Sequence, residues 1–245
     1  MSDFNKKGVY ISVIIPVYNE AERIPNKIDE ICKFIFSLEK TAEIIFVNDG
    51  SIDMTEKILE SYKHIYPFRF LSYINNRGKG YAIRKGVKNA IGDWILFFDI
   101  DLATPLSEVN HLLKFLKNDD GVVIGSRRFA QSNIQKSESL IRTFLGQGFT
   151  RLSNIFVPEI TDFTCGFKCF SKFASKKIFS VARINRWGFD TELLYIAKLN
   201  NIPLREIPVT WAHDEDSRVH VVGAIVSSLI ELFQMKLNHL RGFYK

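Results

Sequence analysis

The first half of the chain alternates short apolar runs with longer segments in which apolar residues recur every three or four positions. Residues 9–17 form a continuous run rich in β-branched residues, which predicts a strand buried on both faces. Residues 22–38 carry helical spacing, and the alternation continues to Ser126. Further strands are predicted at 43–47, 69–74, 93–98 and 122–126, and further helices at 53–66, 80–90 and 106–116. This rhythm predicts an α/β fold, with a mostly parallel sheet and helices on both faces.

The second half contains longer amphipathic segments. Helices are predicted at 137–157, 189–200 and 222–241, and strands at 164–170 and 204–211. The last helix has one narrow polar stripe and is apolar over most of its remaining circumference, so it is either buried on two sides or in contact with lipid. The stripe consists of Ser227, Glu231, Gln234, Asn238 and Arg241. No linker or internal repeat separates the halves, which predicts one domain over residues 1–245.

The composition is that of a globular protein with a basic surface. Hydrophobic residues make up 46% of the 245 positions and charged residues 24%, which argues against disordered and fibrous classes. Lys and Arg number 33 against 27 Asp and Glu, and the net charge of +6 favours an anionic partner such as a nucleotide, a nucleic acid or a membrane surface.

The cysteine count and the lengths of the apolar runs indicate in which cellular compartment the chain functions and whether it spans a membrane. The three cysteines cannot all pair, which favours a reducing compartment, and no His or Cys cluster accompanies them, so a zinc site is not expected. No apolar run approaches the ~18 residues of a spanning helix, and no signal peptide is visible. We therefore expect a chain that is soluble or peripheral to a membrane.

Polar clusters follow three of the predicted strands, as PVYNE (16–20), VNDGS (47–51) and FFDID (97–101). Ligands bind at the carboxyl ends of parallel strands, so these clusters are candidate site residues. Asp99 and Asp101 lie on one side of an extended chain and suit Mg²⁺ or Mn²⁺ bridging phosphates. A helix-capping aspartate is the alternative. Asp49-Gly50 also fits an ordinary turn, and Glu20 the first turn of a helix.

Two segments concentrate basic residues. Residues 69–88 hold six basic residues and no acid, and NNRGKG places glycines beside Arg77 and Lys79 just before a predicted helix, which suits a diphosphate at the helix N-terminus. Residues 127–151 hold five basic residues and one acid among apolar positions. That pattern fits a helix at a membrane interface, or a core helix with a charged outer face.

Together these motifs resemble family 2 glycosyltransferases of the GT-A fold, which is Rossmann-like. PVYNE, VNDGSID and DID occur in that family's order, while NRGKGYAIRKGV, GSR (125–127), DFTCGFKCF (162–170) and RWGFDTELLYIA (186–197) are similar to members that transfer a hexose to a polyprenyl phosphate. The resemblance runs from about residue 9 to residue 243. It implies a nucleotide-sugar-binding half at 9–126 and an acceptor-side half at 127–245.

The resemblance also implies roles for individual residues. The residues implied to bind the nucleotide sugar are Pro16, Tyr18, Glu20, Asp49, Arg77, Lys79, Asp99 and Trp187. The metal ligands are Asp99 and Asp101. The acceptor phosphate meets Arg127, Arg142, Ser217 and Arg218. The catalytic set is Asp101, Asp190, Arg127 and Arg142.

Two positions depart from common family patterns. Asn48 replaces the first Asp of VDDGS, which puts one base contact in doubt, and Ala103 stands where the mannosyl branch has the Gln of DxDxQ, so a metal ligand is absent. The form DIDLAT is more similar to the glucosyl branch. A divalent cofactor, Mg²⁺ or Mn²⁺, remains implied.

The implied activity is inverting transfer of glucose from UDP-glucose to a polyprenyl (dolichyl-type) phosphate. GDP-mannose as donor and a sugar hydroxyl as acceptor are the alternatives, and Asp190 would act as base in the latter. Amphipathic helices would contact the membrane, and a homo-oligomer or a membrane-protein partner is possible. The implied location is peripheral, on the cytosolic face of the endoplasmic reticulum or of a bacterial inner membrane. Nucleic acid is disfavoured because acids at the strand ends repel phosphates.

Overall fold

Nine strands and eight helices follow one another in the computed structural model, which describes residues 8–116, 121–136, 140–212 and 221–244, without the side chains of 136, 140–145 and 221–226. The strands are β1 (Ile11–Val17), β2 (Ala42–Asn48), β3 (Arg69–Ser72), β4 (Trp94–Phe97), β5 (Val122–Ser126), β6 (Asn133–Lys136), β7 (Lys168–Ser171), β8 (Leu204–Pro208) and β9 (Thr210–Ala212). The helices are α1 (Ile24–Phe36), α2 (Thr55–Tyr62), α3 (Lys79–Asn89), α4 (Ser107–Leu113), α5 (Leu140–Ser153), α6 (Lys172–Val181), α7 (Phe189–Leu199) and α8 (Val221–Leu240).

A seven-stranded sheet in the order β3-β2-β1-β4-β7-β5-β8 forms the centre of the protein. All its pairings are parallel except those of β7, which runs antiparallel to β4 and β5. The strand order reverses at β1, which lies between β2 and β4. Open α/β sheets bind ligands at such a reversal, so the fold directs attention to the carboxyl ends of β1, β2 and β4.

Helices cover both faces of the sheet, as predicted. On one face α1, α2 and α4 pack with side chains such as Ile31 and Val109, and on the other face α3, α6 and α7 pack with side chains such as Ile83 and Ile178. This double cover explains why β1 is apolar at nearly every position. Each isoleucine buried in these layers contributes about 1.5–3 kcal/mol. The predicted mostly parallel α/β fold is confirmed.

Two predicted strands are corrected, and one helix was not predicted. The strand predicted at 164–170 is shorter and antiparallel, and it is followed at once by α6, a helix that the apolar pattern alone missed. The Ser171 side chain accepts a hydrogen bond from the Ala174 amide, so an N-cap marked this helix in the sequence. The strand predicted at 204–211 is two strands, of which β9 joins β6 in a separate two-stranded sheet.

Helix α8 buries two residues of its polar stripe. Glu231 and Asn238 are buried, whereas Ile230, Phe233 and Leu240 are exposed by 62%, 66% and 70%. The buried polar groups are satisfied, because Glu231 accepts from the Gly188 amide and Asn238 hydrogen-bonds the Tyr244 hydroxyl. Large apolar side chains therefore point outward along this helix, between exposed polar residues such as Gln234 and Lys236. None of the helices within the described residues combines the length and apolar character that crossing a bilayer requires.

Candidate active site

The candidate site opens where β1 and β4 separate. The last β1–β4 pair is Ile14 with Phe97, whereas β1 continues beside β2 to the pair of Val17 with Asn48. Pro16 lies beyond the last β4 pair, and as a proline it has no N–H to donate to a neighbouring strand. The gap exposes the segments that follow β1, β2 and β4, which are the three polar clusters predicted from the sequence.

The two aspartates after β4 are shaped by a tight turn. The Leu102 amide donates to the Asp99 carbonyl at 3.2 Å, and the Ala103 amide donates to an Asp101 carboxylate oxygen at 3.0 Å. Leu102 has a φ of 55°, a left-handed conformation that strains a bulky residue. Backbone strain of this kind clusters at functional sites, and here it lies directly beside both predicted metal ligands.

Lys79 stands in front of the Asp99 carboxylate. Its ammonium lies 2.6 Å from one carboxylate oxygen and 2.8 Å from the other. Burial disfavours the charged lysine, but the carboxylates of Asp99, Asp190 and Asp101 outweigh it and raise the pKa of Lys79. A permanent positive charge therefore lies between the aspartates, as a diphosphate-binding site requires.

The donor set fits a divalent cation that a bound diphosphate completes. Among the described residues, no three His, Cys, Asp or Glu side chains converge as a ready-made metal cage. Mg²⁺ in proteins is commonly held by one or two carboxylates together with substrate phosphates, and Asp99 and Asp101 offer that number of ligands. A cation at Asp99 would meet an oxygen that Lys79 now contacts, so the ammonium and the cation would share this carboxylate.

Asp49 is surrounded by donors from the loop that precedes α3. Its two oxygens accept hydrogen bonds from the Tyr73 hydroxyl at 2.7 Å, the Asn76 amide group at 2.9 Å, the Arg77 N–H at 2.8 Å and the Gly78 N–H at 2.9 Å. These four bonds occupy the usual acceptor positions of a carboxylate. Contact between Asp49 and a nucleotide base would therefore replace one of them, and in this structure the residue shapes the loop.

The remaining residues predicted for the nucleotide lie around the same opening. Tyr18 follows β1 and is 43% exposed, which leaves its ring accessible to a planar base. Glu20 lies in the turn before α1, where its carboxylate contacts the Arg23 guanidinium at 2.5 Å. The Arg77 guanidinium lies over the Tyr81 ring at 3.7 Å from its centre. Glu20 therefore lies just before a helix, as one alternative predicted, and also directly after the PVYN segment that borders the opening.

The N-terminus of α3 is partly covered by the chain that precedes α7. The Tyr81 amide donates to the Asn185 carbonyl at 3.2 Å, and a Cβ on Gly80 would lie 2.6 Å from the Phe189 Cβ. The chain before α7 therefore covers the first turn of α3. The Tyr81 amide is thus already engaged, and the assignment of Arg77 and Lys79 to a diphosphate stays a prediction.

Arg127, which is predicted to contact the acceptor, is held by a buried aspartate. Asp162 accepts the Arg127 Nε–H at 2.7 Å, a terminal guanidinium N–H at 2.8 Å and the backbone amide at 3.1 Å. Thr164 accepts a further guanidinium bond at 2.7 Å, and the guanidinium lies 5.1 Å from the centre of the Trp211 ring. Two parallel hydrogen bonds fix the plane of the guanidinium, so Arg127 is rigidly presented just after β5.

Asp190, in the first turn of α7, is ion-paired with a lysine. The Lys168 ammonium lies 2.5 Å from the Asp190 carboxylate, and both groups are buried. Burial raises the pKa of Asp190, opposed by the charges of Lys168 and Lys79. Trp187 is exposed in the preceding loop, whose Gly188 amide donates to Glu231 of α8 at 2.7 Å.

Three predicted acceptor residues have no described side chain. Arg142 lies in α5 within the stretch whose side chains are outside the description, and Ser217 and Arg218 fall between the described residues 212 and 221. Their assignment to the acceptor phosphate stays a prediction.

Sequence reasoning missed three residues that organise the site. Asp162 and Lys168 lie in the quoted segment DFTCGFKCF without an assigned role, and Glu231 was taken only as part of a polar stripe. The signal for Lys168 was present, because a lysine in the middle of an apolar strand is buried and must find partners. Nothing local marked the partners of Asp162 or Glu231, which lie more than 30 residues away in sequence.

Solved structures share the fold. A crystal structure of glucosyl-3-phosphoglycerate synthase from Mycobacterium tuberculosis in complex with Mn²⁺, uridine diphosphate and glucosyl-3-phosphoglycerate superposes with a TM-score of 0.70 at 17% identity, over 93% of this chain and 80% of that one. A second structure of the same enzyme, with Mg²⁺ and uridine diphosphate, also gives 0.70 at 17% identity, over 93% and 79%. The likeness confirms the GT-A type of architecture.

Sequence comparison places the chain in a family. Dolichyl-phosphate beta-glucosyltransferase of Dictyostelium discoideum is 34% identical over 97% of this chain and 77% of its own length. The proteins of that name from Drosophila melanogaster and Homo sapiens are 36% and 35% identical, each over 96% of this chain and 77% of their own length. The family model for glycosyl transferase family 2 matches residues 12–179, a range that contains Asp49, Asp99 and Asp101. The chain therefore belongs to glycosyl transferase family 2, as its motifs predicted.

Proposed function

We propose that this glycosyltransferase moves glucose from UDP-glucose to the phosphate of a polyprenyl (dolichyl-type) lipid, with inversion at the anomeric carbon. The observation that carries the proposal is the similarity, at 34–36% identity over nearly the whole chain, to proteins named dolichyl-phosphate beta-glucosyltransferase. The solved structures with uridine diphosphate, Mn²⁺ or Mg²⁺ support the donor class and the cofactor.

On the donor side, the side chains around the strand ends have complementary tasks. Tyr18 offers a ring to the base, and Asp99 with Asp101 would hold the divalent cation. When bound, that cation would neutralise charge on the diphosphate. Lys79 adds a fixed positive charge at the same place, which stabilises the leaving diphosphate as the bond to the sugar breaks.

On the acceptor side, a phosphate needs orientation more than it needs a base. A phosphate monoester with a pKa near ~6 is mostly ionised at neutral pH, so its oxygen can attack without losing a proton to the protein. Arg127 is held rigidly by Asp162 and is suited to orient such an anion. Attack opposite the leaving diphosphate would pass through a transition state with oxocarbenium character.

Transfer to a sugar hydroxyl is the second candidate, and Asp190 is the observation that favours it. A hydroxyl acceptor requires a general base, and a buried carboxylate with a raised pKa at the sugar side has the character of one. GDP-mannose remains the alternative donor. The products differ in chemistry, because a sugar phosphodiester is labile to mild acid whereas many glycosides are stable.

The outward apolar face of α8 supports a peripheral position on a membrane. Ile230, Phe233 and Leu240 form an exposed stripe at helical spacing, with the basic residues Lys236 and Arg241 exposed nearby. Apolar insertion combined with basic flanks is the pattern of helices that lie in an anionic lipid surface. The location proposed is the cytosolic face of the endoplasmic reticulum, or of the inner membrane in a bacterium.

The decisive assay incubates the purified protein with polyprenyl phosphate, Mg²⁺ or Mn²⁺, and either UDP-glucose or GDP-mannose. We expect an acid-labile hexosyl-phosphate lipid, detected by mass spectrometry, from UDP-glucose alone. Product from GDP-mannose alone would reverse the donor. Nucleotide release without lipid product in the presence of a sugar acceptor would overturn the phosphate acceptor.

Two variants test the proposed membrane contact of α8 and the proposed role of Arg142 in binding the lipid acceptor. Phe233→Ser should reduce co-sedimentation with vesicles containing anionic lipid, whereas Ile65→Ser, which changes an exposed apolar residue after α2, should not. Arg142→Ala should raise the KM for the lipid acceptor more than the KM for the donor. Equal binding of both surface variants would argue against α8 as the contact, and an unchanged acceptor KM would remove Arg142 from the acceptor site.

A further inference from the structure

Lys168 is a fully buried lysine in the middle of the central sheet. It lies on β7, opposite Phe97 of β4 on one side and Ile124 of β5 on the other. Its ammonium donates to the Phe163 carbonyl at 3.0 Å, the Cys165 carbonyl at 2.6 Å and the Asp190 carboxylate at 2.5 Å. An ammonium group has three N–H donors, and here each has an acceptor.

Stability alone does not explain a charge at this position. The neighbours of Lys168 include the Phe97 ring, 5.8 Å from the ammonium, in a core that also contains Phe170 and Phe189. Buried ion pairs can often be replaced by apolar residues of similar volume without loss of stability, because the desolvation of two charges offsets their attraction. The charge of Lys168 is therefore better understood through what its three acceptors hold in place.

One group of acceptors lies in the turn that borders the metal-binding aspartates. The Cys165 carbonyl precedes Gly166, and a Cβ on Gly166 would lie 2.2 Å from an Asp99 carboxylate oxygen and 3.4 Å from the Lys79 ammonium. The backbone at Gly166 is thus in contact with the Asp99 side chain. By anchoring the carbonyls of residues 163 and 165, Lys168 sets how closely this turn approaches Asp99.

The third acceptor, Asp190, belongs to the same group of charges as Asp99 and Lys79. The carboxylate of Asp190 interacts electrostatically with Lys79 and Asp99, so the two carboxylates and two ammonium groups form one alternating set. Lys168 belongs to this set without facing solvent or the opening between β1 and β4. It can influence substrate only through the residues that it holds.

We propose that Lys168 is a positioning residue for glycosyl transfer. It fixes the Asp190 carboxylate, which would contact the transferred sugar, and the turn at Gly166, which borders Asp99. This inference rests on the proposed function for its assay. It makes Lys168 act chiefly through Asp190, with no direct contact with the donor or acceptor.

The first test replaces Lys168 with methionine, which keeps the chain length and removes the charge. We expect kcat to fall by roughly 10–100-fold, the range observed when residues behind a site's direct ligands are changed. The Kd for UDP should stay within about threefold in a calorimetric titration, because Tyr18 and the loop at Asp49 are untouched. Lys172→Met is the matched control, since it removes a lysine that pairs with Asp93 at the surface, and it should leave both values unchanged.

A double-mutant cycle separates positioning from stability. Turnover is followed with radiolabelled UDP-glucose and polyprenyl phosphate for the wild type, Lys168→Met, Asp190→Asn and the double variant, each normalised to folded protein. If Lys168 acts through Asp190, Lys168→Met should lower kcat by at least about tenfold in the wild type but by less than about threefold in the Asp190→Asn background. If Lys168→Met does not fold, Lys168→Gln, which keeps two N–H donors for the carbonyls, takes its place.

The outcomes are distinct. The positioning role would be overturned if Lys168→Met lowered kcat by the same factor in the wild type and in Asp190→Asn. It would also be overturned if folded Lys168→Met kept the full kcat. A wild-type protein that makes no lipid product would instead refute the proposed acceptor, and the same cycle would then be measured as UDP release with the acceptor that supports turnover. Non-additive loss with unchanged UDP affinity is the result that supports the inference.

Discussion

Replacing Asp162 with asparagine tests whether the buried carboxylate presents Arg127 to the acceptor. The side chain keeps its size, but its charge is lost, and only one of its two terminal groups can still accept from the guanidinium. Asp162 is fully buried, whereas the Arg127 side chain is 17% exposed. The variant therefore leaves a largely desolvated guanidinium without its counter-charge.

The magnitude follows from that partial burial. Removing one partner of a buried ion pair costs about 3–5 kcal/mol, and the exposed part of Arg127 recovers some hydration, so we expect about 2–3 kcal/mol in the free energy of unfolding. At about 2–4 °C per kcal/mol for a domain of this size, Tm should fall by about 4–12 °C. The KM for polyprenyl phosphate should rise by at least about tenfold, because a loosened arginine orients the acceptor poorly.

The pH dependence of stability gives an independent readout. Burial alone would raise the pKa of Asp162, but the charge and hydrogen bonds of Arg127 outweigh it and hold that pKa well below its usual range. The unfolded chain protonates this group near pH ~3.9, so its contribution to stability is complete above that pH and is lost as the pH falls toward the lower folded-state pKa. The asparagine side chain has no ionisable group, so this pH-dependent contribution is absent from Asp162→Asn. The difference in unfolding free energy between the wild type and Asp162→Asn should thus be constant from about pH 5 to 8 and shrink below about pH 4.

Denaturant titrations across this pH range, with acceptor kinetics at pH 7, would check the reasoning. Asp93→Asn is a suitable control, because it breaks a surface pair with Lys172 and should change Tm by no more than about 2 °C. If the difference in unfolding free energy between the two proteins stays constant down to pH ~3, then Arg127 does not lower the pKa of Asp162 in the folded protein. An unchanged acceptor KM would refute the link between this pair and the acceptor.

Three further predictions concern the proposed metal ligands, the turn beside them and the thiols. Asp101→Asn should abolish transfer, a loss of at least about 10³-fold, while Tm stays within about 2 °C; near-normal turnover in a folded variant would remove Asp101 from the mechanism. Gly166→Ala should raise the Mn²⁺ concentration needed for half-maximal activity by about tenfold, because the new Cβ displaces the Asp99 carboxylate, whereas Gly148→Ala, whose Cβ meets nothing within 4 Å, should not. All three cysteines are buried, and burial raises the pKa of the Cys165 thiol to about 11, so thiol reagents at pH 8 should label the protein only after denaturant is added.

Much of the sheet and the donor side was predictable because the signals are local. A strand covered on both faces is apolar at nearly every position, and the helices that cover it carry their own period, so β1 and α1 were found within a few residues of their true ends. The polar residues that follow each parallel strand meet at one edge by topology alone. Asp99, Asp101 and Lys79 were therefore assigned to one site before any distance was known.

The remainder depended on partners that are distant in sequence. An apolar run does not encode strand direction, so the antiparallel β7 was not foreseen. Asp49 was assigned to the nucleotide, but its oxygens accept from groups 24–29 residues downstream, a set that no local pattern reveals. Helix α8 was found from its apolar pattern, yet only the structure shows that Glu231 of its polar stripe points inward.

The insertion of β7 has a consequence for how the chain is made. Among the described strands, β5 pairs with β7 and β8, and β4 has β7 as its second neighbour. Strand β7 begins 42 residues after the end of β5 and 71 residues after the end of β4, so both strands wait for it during synthesis. At about 5–20 residues per second, the ribosome leaves the edge of β4 unpaired for about 4–14 s. An unpaired apolar edge is a template for wrong pairing with other chains. The first 126 residues expressed alone should therefore aggregate, and chaperones that bind nascent chains should protect this interval during synthesis.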